Sequence, residues 1–209
     1  MQPYVLLTLA AVAALLVAEW RGLRAGIWIA KPLASTAFLG AAIAAGALHT
    51  GYGQWILLGL ALSWLGDVLL IPKAPAAFTA GLAAFLLGHL AYGVAFLGRD
   101  PSLAAMLGAA LALALPIVKV LGWLAPHVPA GMRLPVRAYV AAITAMLVAA
   151  AGAAVSTGNP LILAGALAFY VSDLAVARQQ FVERTIRNKL WGLPLYYGAQ
   201  LLLAATVRG

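Results

Sequence analysis

Residues 54–72 of this 209-residue chain, QWILLGLALSWLGDVLLIP, decide the fold, because they form an apolar run interrupted by a single acidic residue, Asp67. A helix rises about 1.5 Å per residue, so about 20 apolar residues cross the ~30 Å hydrocarbon core of a bilayer. Asp173 lies in a similar run, FYVSDLAVA (169–177). A carboxylate in such a helix costs at least about 2.5 kcal/mol, so the two aspartates mark a candidate functional site.

The composition indicates an integral membrane protein. The chain is 65% hydrophobic and 9% charged, and its mean hydropathy is +1.02. The net charge of +8 comes from basic residues in short connections, which favours the positive-inside rule and contact with membrane lipids over nucleic acid. No segment is long enough for a soluble domain, so we expect one membrane domain over residues 1–209. The first apolar run lacks a basic residue before it, which favours a first span over a signal peptide.

Cutting the chain at charges, glycines and prolines predicts an all-α, polytopic fold with eight transmembrane helices. They lie near residues 3–20, 28–48, 54–72, 76–98, 102–124, 134–156, 160–178 and 189–207. Asp67 and Asp173 fall on the third and seventh helices, and Pro32 and Pro135 open the second and sixth. This correspondence suggests a parallel repeat of four plus four helices, although chance alignment of alanine-rich helices explains it equally well.

The basic residues also predict the orientation. Ten flank odd-numbered connections: Arg21, Arg24, Lys31, Lys73, Arg133, Arg137, Arg178, Arg184, Arg187 and Lys189. Only Arg99 and Arg208 flank the opposite side. We therefore expect cytoplasmic odd connections, both termini outside, and location in a bacterial inner membrane.

Counting from the loop charges places several polar residues at one depth. The carboxylates of Asp67 and Asp173 are expected roughly 7–9 Å inside the cytoplasmic boundary, where they could meet across the bundle. Tyr139, Tyr196 and Lys119 fall in the same layer at roughly 9–11 Å. His89 is expected roughly 20 Å from the cytoplasmic end, out of this layer.

Each polar group also has a structural interpretation. The aspartates could form internal ion pairs with Lys119 or Lys31, or hydrogen bonds that fix helix packing. Five residues near the surface could hold a phosphate, or the basic ones among them could merely follow the positive-inside rule: Lys31, Arg133, Arg137, Asn188 and Lys189. Zero cysteines and the absence of close histidine pairs argue against a metal site, and no nucleophile or nucleotide motif is present. We expect no cofactor.

Six motifs, taken in order, carry a family resemblance. They are KPLAST (31–36), LGDVLL (65–70), FTAGLAAFLLGHLAYG (78–93), RAYVAAITAML (137–147), GALAFYVSDLAVA (165–177) and YYGAQ (196–200). Together they resemble the YhhN family of membrane lysoplasmalogenases over nearly the whole chain. The resemblance implies eight spans and hydrolysis of the vinyl ether bond of a lysoplasmalogen, which gives a fatty aldehyde and a glycerophospho-ethanolamine or -choline.

The resemblance also implies a site. Asp67 and Asp173 would be catalytic, and the substrate pocket would be lined by Lys31, His89, Tyr92, Tyr139, Tyr196 and Tyr197. In this hypothesis one aspartate is a protonated acid, and the other stabilises the oxocarbenium ion and activates water. The alternatives are a proton-coupled lipid or small-molecule transporter, and a membrane lipid hydrolase acting on esters or amides. The oligomeric state is not predicted.

Overall fold

The computed structural model describes residues 1–208, most of which lie in eight long α-helices. Their bounds are Gln2–Arg21 (α1), Arg24–Ala44 (α2), Gly51–Leu69 (α3), Pro75–Leu97 (α4), Leu103–Leu124 (α5), Arg133–Thr157 (α6), Pro160–Ala177 (α7) and Ile186–Ala205 (α8). One turn of π-helix, Arg178–Val182, continues α7, and 3₁₀ turns lie at Ala47–His49, Ala130–Met132 and Thr206–Arg208. These 208 residues contain no β-strand, so the predicted all-α fold is confirmed.

Local chemistry explains where the helices begin and end. Gly22 and Gly158 follow α1 and α6 in left-handed conformations, with φ of 68° and 65°, which glycine adopts without steric cost. The side chains of Thr50, Ser102 and Asn159 accept backbone N–H groups at the starts of α3, α5 and α7. The connections between helices are short, so successive helices run antiparallel.

The helices pack around a central group of six, in which α6 lies between α4 and α7. α3 and α4 form one close pair, α7 and α8 another, and α2 packs between α3 and α8. The largest fully buried side chains of this centre include Phe38, Tyr92, Phe169 and Tyr197. α5 packs mainly on α6, and Leu107, Leu111 and Leu115 on it point outward. α5 is therefore a peripheral helix.

Seven of the eight long helices are long and apolar enough to cross a membrane, and the protein is an integral membrane protein. The eight predicted helices are confirmed with bounds shifted by a few residues. α3 alone is not among the seven candidate spans, although it has 19 residues and lies beside α2 and α4. Asp67 and Gln54 lower the hydropathy of α3, whose acidic residue is buried inside the bundle.

The two halves of the chain have similar neighbour relations. α3 packs on α2 and α4 as α7 packs on α6 and α8, and α4 packs on α6 as α8 packs on α2. The first helix of each half differs, because α1 packs on α8 whereas α5 has no comparable contact with α4. The four-plus-four repeat stays a prediction.

Candidate active site

The first carboxylate is that of Asp67, near the end of α3. Asp67 is buried, with 2% of its surface exposed. Its Oδ1 lies 3.3 Å from Nζ of Lys31. Its Oδ2 accepts a hydrogen bond of 2.8 Å from the Tyr196 hydroxyl and another from the Ser35 hydroxyl. An ammonium group and two hydroxyl groups therefore surround this carboxylate, an arrangement that stabilises its charged form.

The partners of Asp67 come from two helices. Lys31 and Ser35 are one turn apart on α2, so their side chains share the helix face that meets α3. Tyr196 belongs to α8, and its neighbour Tyr197 places its hydroxyl 3.4 Å from Oγ of Ser35. α2 and α8 together fix the position of the carboxylate on α3.

The second carboxylate is that of Asp173 on α7. Its Oδ2 accepts a hydrogen bond of 2.7 Å from the Tyr139 hydroxyl on α6 and lies 3.5 Å from Nε2 of His89 on α4. Nδ1 of His89 lies 2.6 Å from the carbonyl oxygen of Phe85. Because a carbonyl only accepts, a neutral ring carries its proton on Nδ1 and turns Nε2 to Asp173 as an acceptor.

An aromatic side chain lies between the two carboxylate centres. The ring centroid of Phe169 is 4.5 Å from that of His89 and 5.4 Å from that of Tyr196. Within residues 1–208, Asp67 and Asp173 share no hydrogen-bond or ion-pair partner. The expected direct meeting of the carboxylates is therefore not observed, since each has its own partners on either side of Phe169.

These carboxylates belong to a known type of membrane protein. The YhhN family matches residues 26–207, which include both aspartates and all their partners. The chain belongs to the YhhN family.

Three YhhN relatives illustrate the similarity. The proteins named lysoplasmalogenase TMEM86B from Sus scrofa and Homo sapiens are 34% identical over 157 residues and 36% identical over 153. A Mycobacterium tuberculosis protein named lysoplasmalogenase is 32% identical over 160 residues. The matches cover 75%, 73% and 73% of this chain but 65%, 63% and 59% of these relatives, so the chain spans less than two thirds of their lengths. No solved structure matches the chain.

The depth expected for His89 in this YhhN protein is wrong. His89 lies beside Asp173, in part because the helix that carries Asp173 extends about 6 Å further than its charges suggested. The π-turn carries this helix on to Val182, nine residues beyond Asp173, whereas the prediction ended it at Arg178. The ring of Phe78, in the first turn of α4, contacts that of Phe181 at 5.9 Å between centroids. The ends of the two helices therefore coincide, and His89 reaches the aspartate layer.

The expectation for Lys119 is also wrong. Lys119 is exposed on the peripheral helix α5, and it forms no ion pair within the described part of the chain. The alternative partner, Lys31, pairs with Asp67. The count along α5 gave a depth but not the direction of the side chain.

Two of the residues expected to hold phosphate, Lys189 and Asn188, lie outside the carboxylate centres. Nζ of Lys189 pairs with Oε2 of Glu19 on α1. Asn188 is buried, and its amide donates to the side chain of Gln179 at 3.0 Å and to the carbonyl of Glu183 at 2.7 Å. Both residues thus fasten the start of α8 to neighbouring segments.

Sequence reasoning missed Ser35 and Phe169 as parts of the site. For Ser35 a signal was present, since its position four residues after Lys31 indicates that both side chains face one neighbour. No sequence signal separates Phe169 from other core aromatics. Within residues 1–208, no three His, Asp or Glu side chains are grouped so that they could hold a metal ion.

Proposed function

We propose that this protein is a lysoplasmalogenase, which hydrolyses the vinyl ether bond of a lysophospholipid to a fatty aldehyde and a glycerophospho-ethanolamine or -choline. The observation that carries the proposal is the pair of carboxylates inside the bundle, of which the buried one is held by an ammonium group and the partly buried one faces a histidine. Their membership of a YhhN chain whose relatives are named lysoplasmalogenases supports it. The substrate would come from the surrounding membrane lipids.

The two environments favour different roles. Asp67 is paired with Lys31 and accepts from two hydroxyl groups, so it is the charged member. Asp173 accepts from Tyr139 alone, and its side chain is 14% exposed against 3% for that of Asp67. We assign the proton donor to Asp173, because it is the more accessible carboxyl group and faces a neutral ring instead of an ammonium group that would favour its charged form.

The reaction then follows from vinyl ether chemistry. The carboxyl group of Asp173 gives its proton to the distal alkenyl carbon, whose double-bond electrons form the new C–H bond and leave an oxocarbenium ion. A water oxygen bonds to the carbon beside the ether oxygen and loses a proton to a carboxylate, which gives a hemiacetal. The hemiacetal hydroxyl then loses its proton to a carboxylate and its oxygen forms the aldehyde C=O bond, while the bond from that carbon to the glycerol oxygen breaks and the glycerol oxygen takes up a proton.

His89 completes the acid in this proposal. Nε2 of its ring faces Oδ2 of Asp173 at 3.5 Å, while Nδ1 is fixed by the carbonyl of Phe85. A neutral ring held in this orientation can accept a hydrogen bond from the protonated carboxyl group of Asp173 and so fix its orientation. Tyr139 holds the same oxygen and keeps the carboxyl group directed.

The predicted topology and location enter the proposal unchanged, whereas the predicted role of the lysines in holding phosphate changes. A single membrane domain, cytoplasmic odd connections, outer termini and a bacterial inner membrane all suit a substrate that enters from the inner leaflet. Lys31 and Lys189 each already face a carboxylate, so a phosphate at either lysine would have to replace Asp67 or Glu19.

The test is incubation of purified protein with 1-alkenyl and 1-acyl lysophospholipids, followed by detection of fatty aldehyde and fatty acid. We expect aldehyde from the alkenyl substrate, and a rate at least about 100-fold lower for Asp67→Asn and Asp173→Asn. Asp100→Asn, which changes an exposed carboxylate between α4 and α5, is the matched control and should keep the rate. Release of fatty acid alone would indicate an ester hydrolase. The absence of both products would favour the transporter.

A further inference from the structure

A second polar layer lies one helical turn deeper in the bundle than the carboxylates. Ser63 precedes Asp67 by four residues on α3, Tyr92 follows His89 by three on α4, and Gln200 follows Tyr196 by four on α8. Since α3 runs opposite to α4 and α8, all three steps lead away from the same end of the bundle, by about 5 Å. Ser63, Tyr92 and Gln200 therefore form one layer below the site.

This layer is sealed and held together by its own contacts. All three side chains are 0% exposed. The Tyr92 hydroxyl donates to Oε1 of Gln200 at 2.7 Å. Ser63 reaches the same place through the close contact of α3 and α4, since a Cβ on Gly88 would lie 3.4 Å from its Oγ and a Cβ on Gly59 would lie 2.5 Å from the Tyr92 ring.

Two polar atoms of the layer have no hydrogen-bond partner in residues 1–208. They are Oγ of Ser63 and Nε2 of Gln200. In the carboxylate layer one turn above, Nε2 of His89 also has no hydrogen-bond partner. An unpaired polar group is costly inside a membrane protein, where no bulk solvent replaces the missing partner. The Gln200 amide nitrogen offers two N–H donors, and the Ser63 hydroxyl both donates and accepts.

The chemistry of these atoms selects a small polar ligand. The part of a lysolipid that runs deeper than its ether bond is a hydrocarbon chain, which cannot hydrogen-bond to an amide or a hydroxyl. A water molecule can accept from the Gln200 amide and donate to the Ser63 hydroxyl, and buried waters commonly make about three such bonds. The proposed hydrolysis consumes one water per turnover at the layer just above.

We propose that Ser63, Tyr92 and Gln200 bind the water molecule that attacks the oxocarbenium ion. This inference rests on the proposed function. Gln200 is a positioning residue, whose N–H group holds the water oxygen, and the Tyr92 hydroxyl keeps the amide turned with its oxygen away from that water. The water oxygen bonds to the cationic carbon, and its proton leaves to a carboxylate.

The test uses Gln200→Met, which keeps the length of the side chain and removes its donors. We expect kcat for aldehyde release to fall about 100-fold with little change in KM, because the attacking group is misplaced after the substrate has bound. The decisive readout is deuterium in unreacted substrate after partial turnover in D₂O. When water attack is slow, the ion returns a proton to the acid, so recovered lysolipid carries deuterium at its distal alkenyl carbon.

Two further variants make the test specific. Ser63→Ala should also slow release and give exchange, and it keeps the proposal testable if Gln200→Met does not fold. Ser172→Ala is the matched control, since this serine is 1% exposed and its hydroxyl is bonded to the carbonyl of Phe169 in its own helix at 2.7 Å. It should keep the rate and give no exchange.

The outcomes separate the two proposals. Exchange in folded Gln200→Met or Ser63→Ala, and none in wild type, supports the water site. A rate loss without exchange in these variants assigns the residues to packing and overturns the water site. Variants that keep the wild-type rate also overturn it. Wild-type protein that releases no aldehyde overturns the proposed function itself, and the water site with it.

Discussion

Asp67 is tolerated inside the bundle because its charge is compensated by near neighbours. Lys31 supplies the opposite charge, and Ser35 and Tyr196 occupy the other carboxylate oxygen. Two buried charges lose their hydration, and their attraction offsets this loss only when the remaining positions are also hydrogen-bonded. The same contacts that stabilise the charge also keep the carboxylate in one orientation, as a catalytic group requires.

The first prediction concerns this ion pair. We expect Lys31→Met to lower the free energy of unfolding by about 3–5 kcal/mol, because it leaves a buried carboxylate without its counter-charge. The double variant Lys31→Met with Asp67→Leu should lose less stability than the single one, yet release no aldehyde. Denaturant unfolding in detergent measures the first effect, and the product assay measures the second. A double variant as unstable as the sum of its single changes would contradict the coupling.

At this scale the sequence predicted depth better than contact. Counting from basic residues brought Asp67, Asp173, Tyr139 and Tyr196 to one layer, because helical rise is constant. It misplaced His89, in part because the end of α7 depends on a π-turn that no loop charge reveals. It also placed Lys119 in the polar layer, because depth alone does not give the face of α5 from which a side chain projects.

Helix elements approach closely where glycine is buried. A Cβ on Gly59 would lie 2.5 Å from the Tyr92 ring, and a Cβ on Gly66 would lie 2.5 Å from the Phe85 ring. Both glycines are on the face of α3 that meets α4. The glycine of the LGDVLL motif therefore lets Phe85 approach, and the carbonyl of Phe85 fixes His89.

The second prediction tests this packing. We expect Gly59→Ala and Gly66→Ala each to cost about 1–3 kcal/mol of stability, since the added methyl group has no room beside a fully or largely buried ring. Gly108→Ala on α5 is the control, because nothing lies within 4 Å of its added Cβ. That variant should be neutral or slightly stabilising. Thermal unfolding in detergent compares them, and equal melting temperatures for all three would count against close packing of α3 on α4.

The π-turn marks the limit of prediction for elements. Apolar length gave eight helices with nearly correct bounds, since burial in a membrane requires complete backbone hydrogen bonding. The turn at Arg178–Val182 is held instead by side-chain contacts that apolar length does not reveal. Asn188 on α8 donates a hydrogen bond to the side chain of Gln179, within this segment, and another to the carbonyl of Glu183, just after it.

The molecule as a whole joins its two halves through the aspartates. Asp67 on α3 takes Lys31 and Ser35 from its own half and Tyr196 from the other. Asp173 on α7 takes Tyr139 from its own half and His89 from the other. Each acid is thus held by the second helix of its own half and the fourth helix of the opposite half. This arrangement suits the predicted repeat, and it was not visible in the sequence, where the matching positions carry different residues.

The third prediction concerns orientation. The chain contains no cysteine, so a single introduced thiol reports its side of the membrane without background. We expect a membrane-impermeant maleimide to label His49→Cys, in an even connection, on intact bacterial cells. Gly131→Cys, in an odd connection, should react only after permeabilisation, because the basic residues hold the odd connections in the cytoplasm. The reverse pattern would invert the orientation, and labelling of both on intact cells would refute the alternation of the helices.

The order of these partners along the chain bears on how the protein is made. Lys31 and Ser35 precede Asp67, and both His89 and Tyr139 precede Asp173. During synthesis from the N-terminus, each acidic helix therefore enters the bilayer when a partner for its carboxylate has already been inserted. Tyr196 arrives last and closes the Asp67 site from α8. Biogenesis can thus proceed without leaving either acid alone in the lipid, and the site is completed only when the final helix is in place.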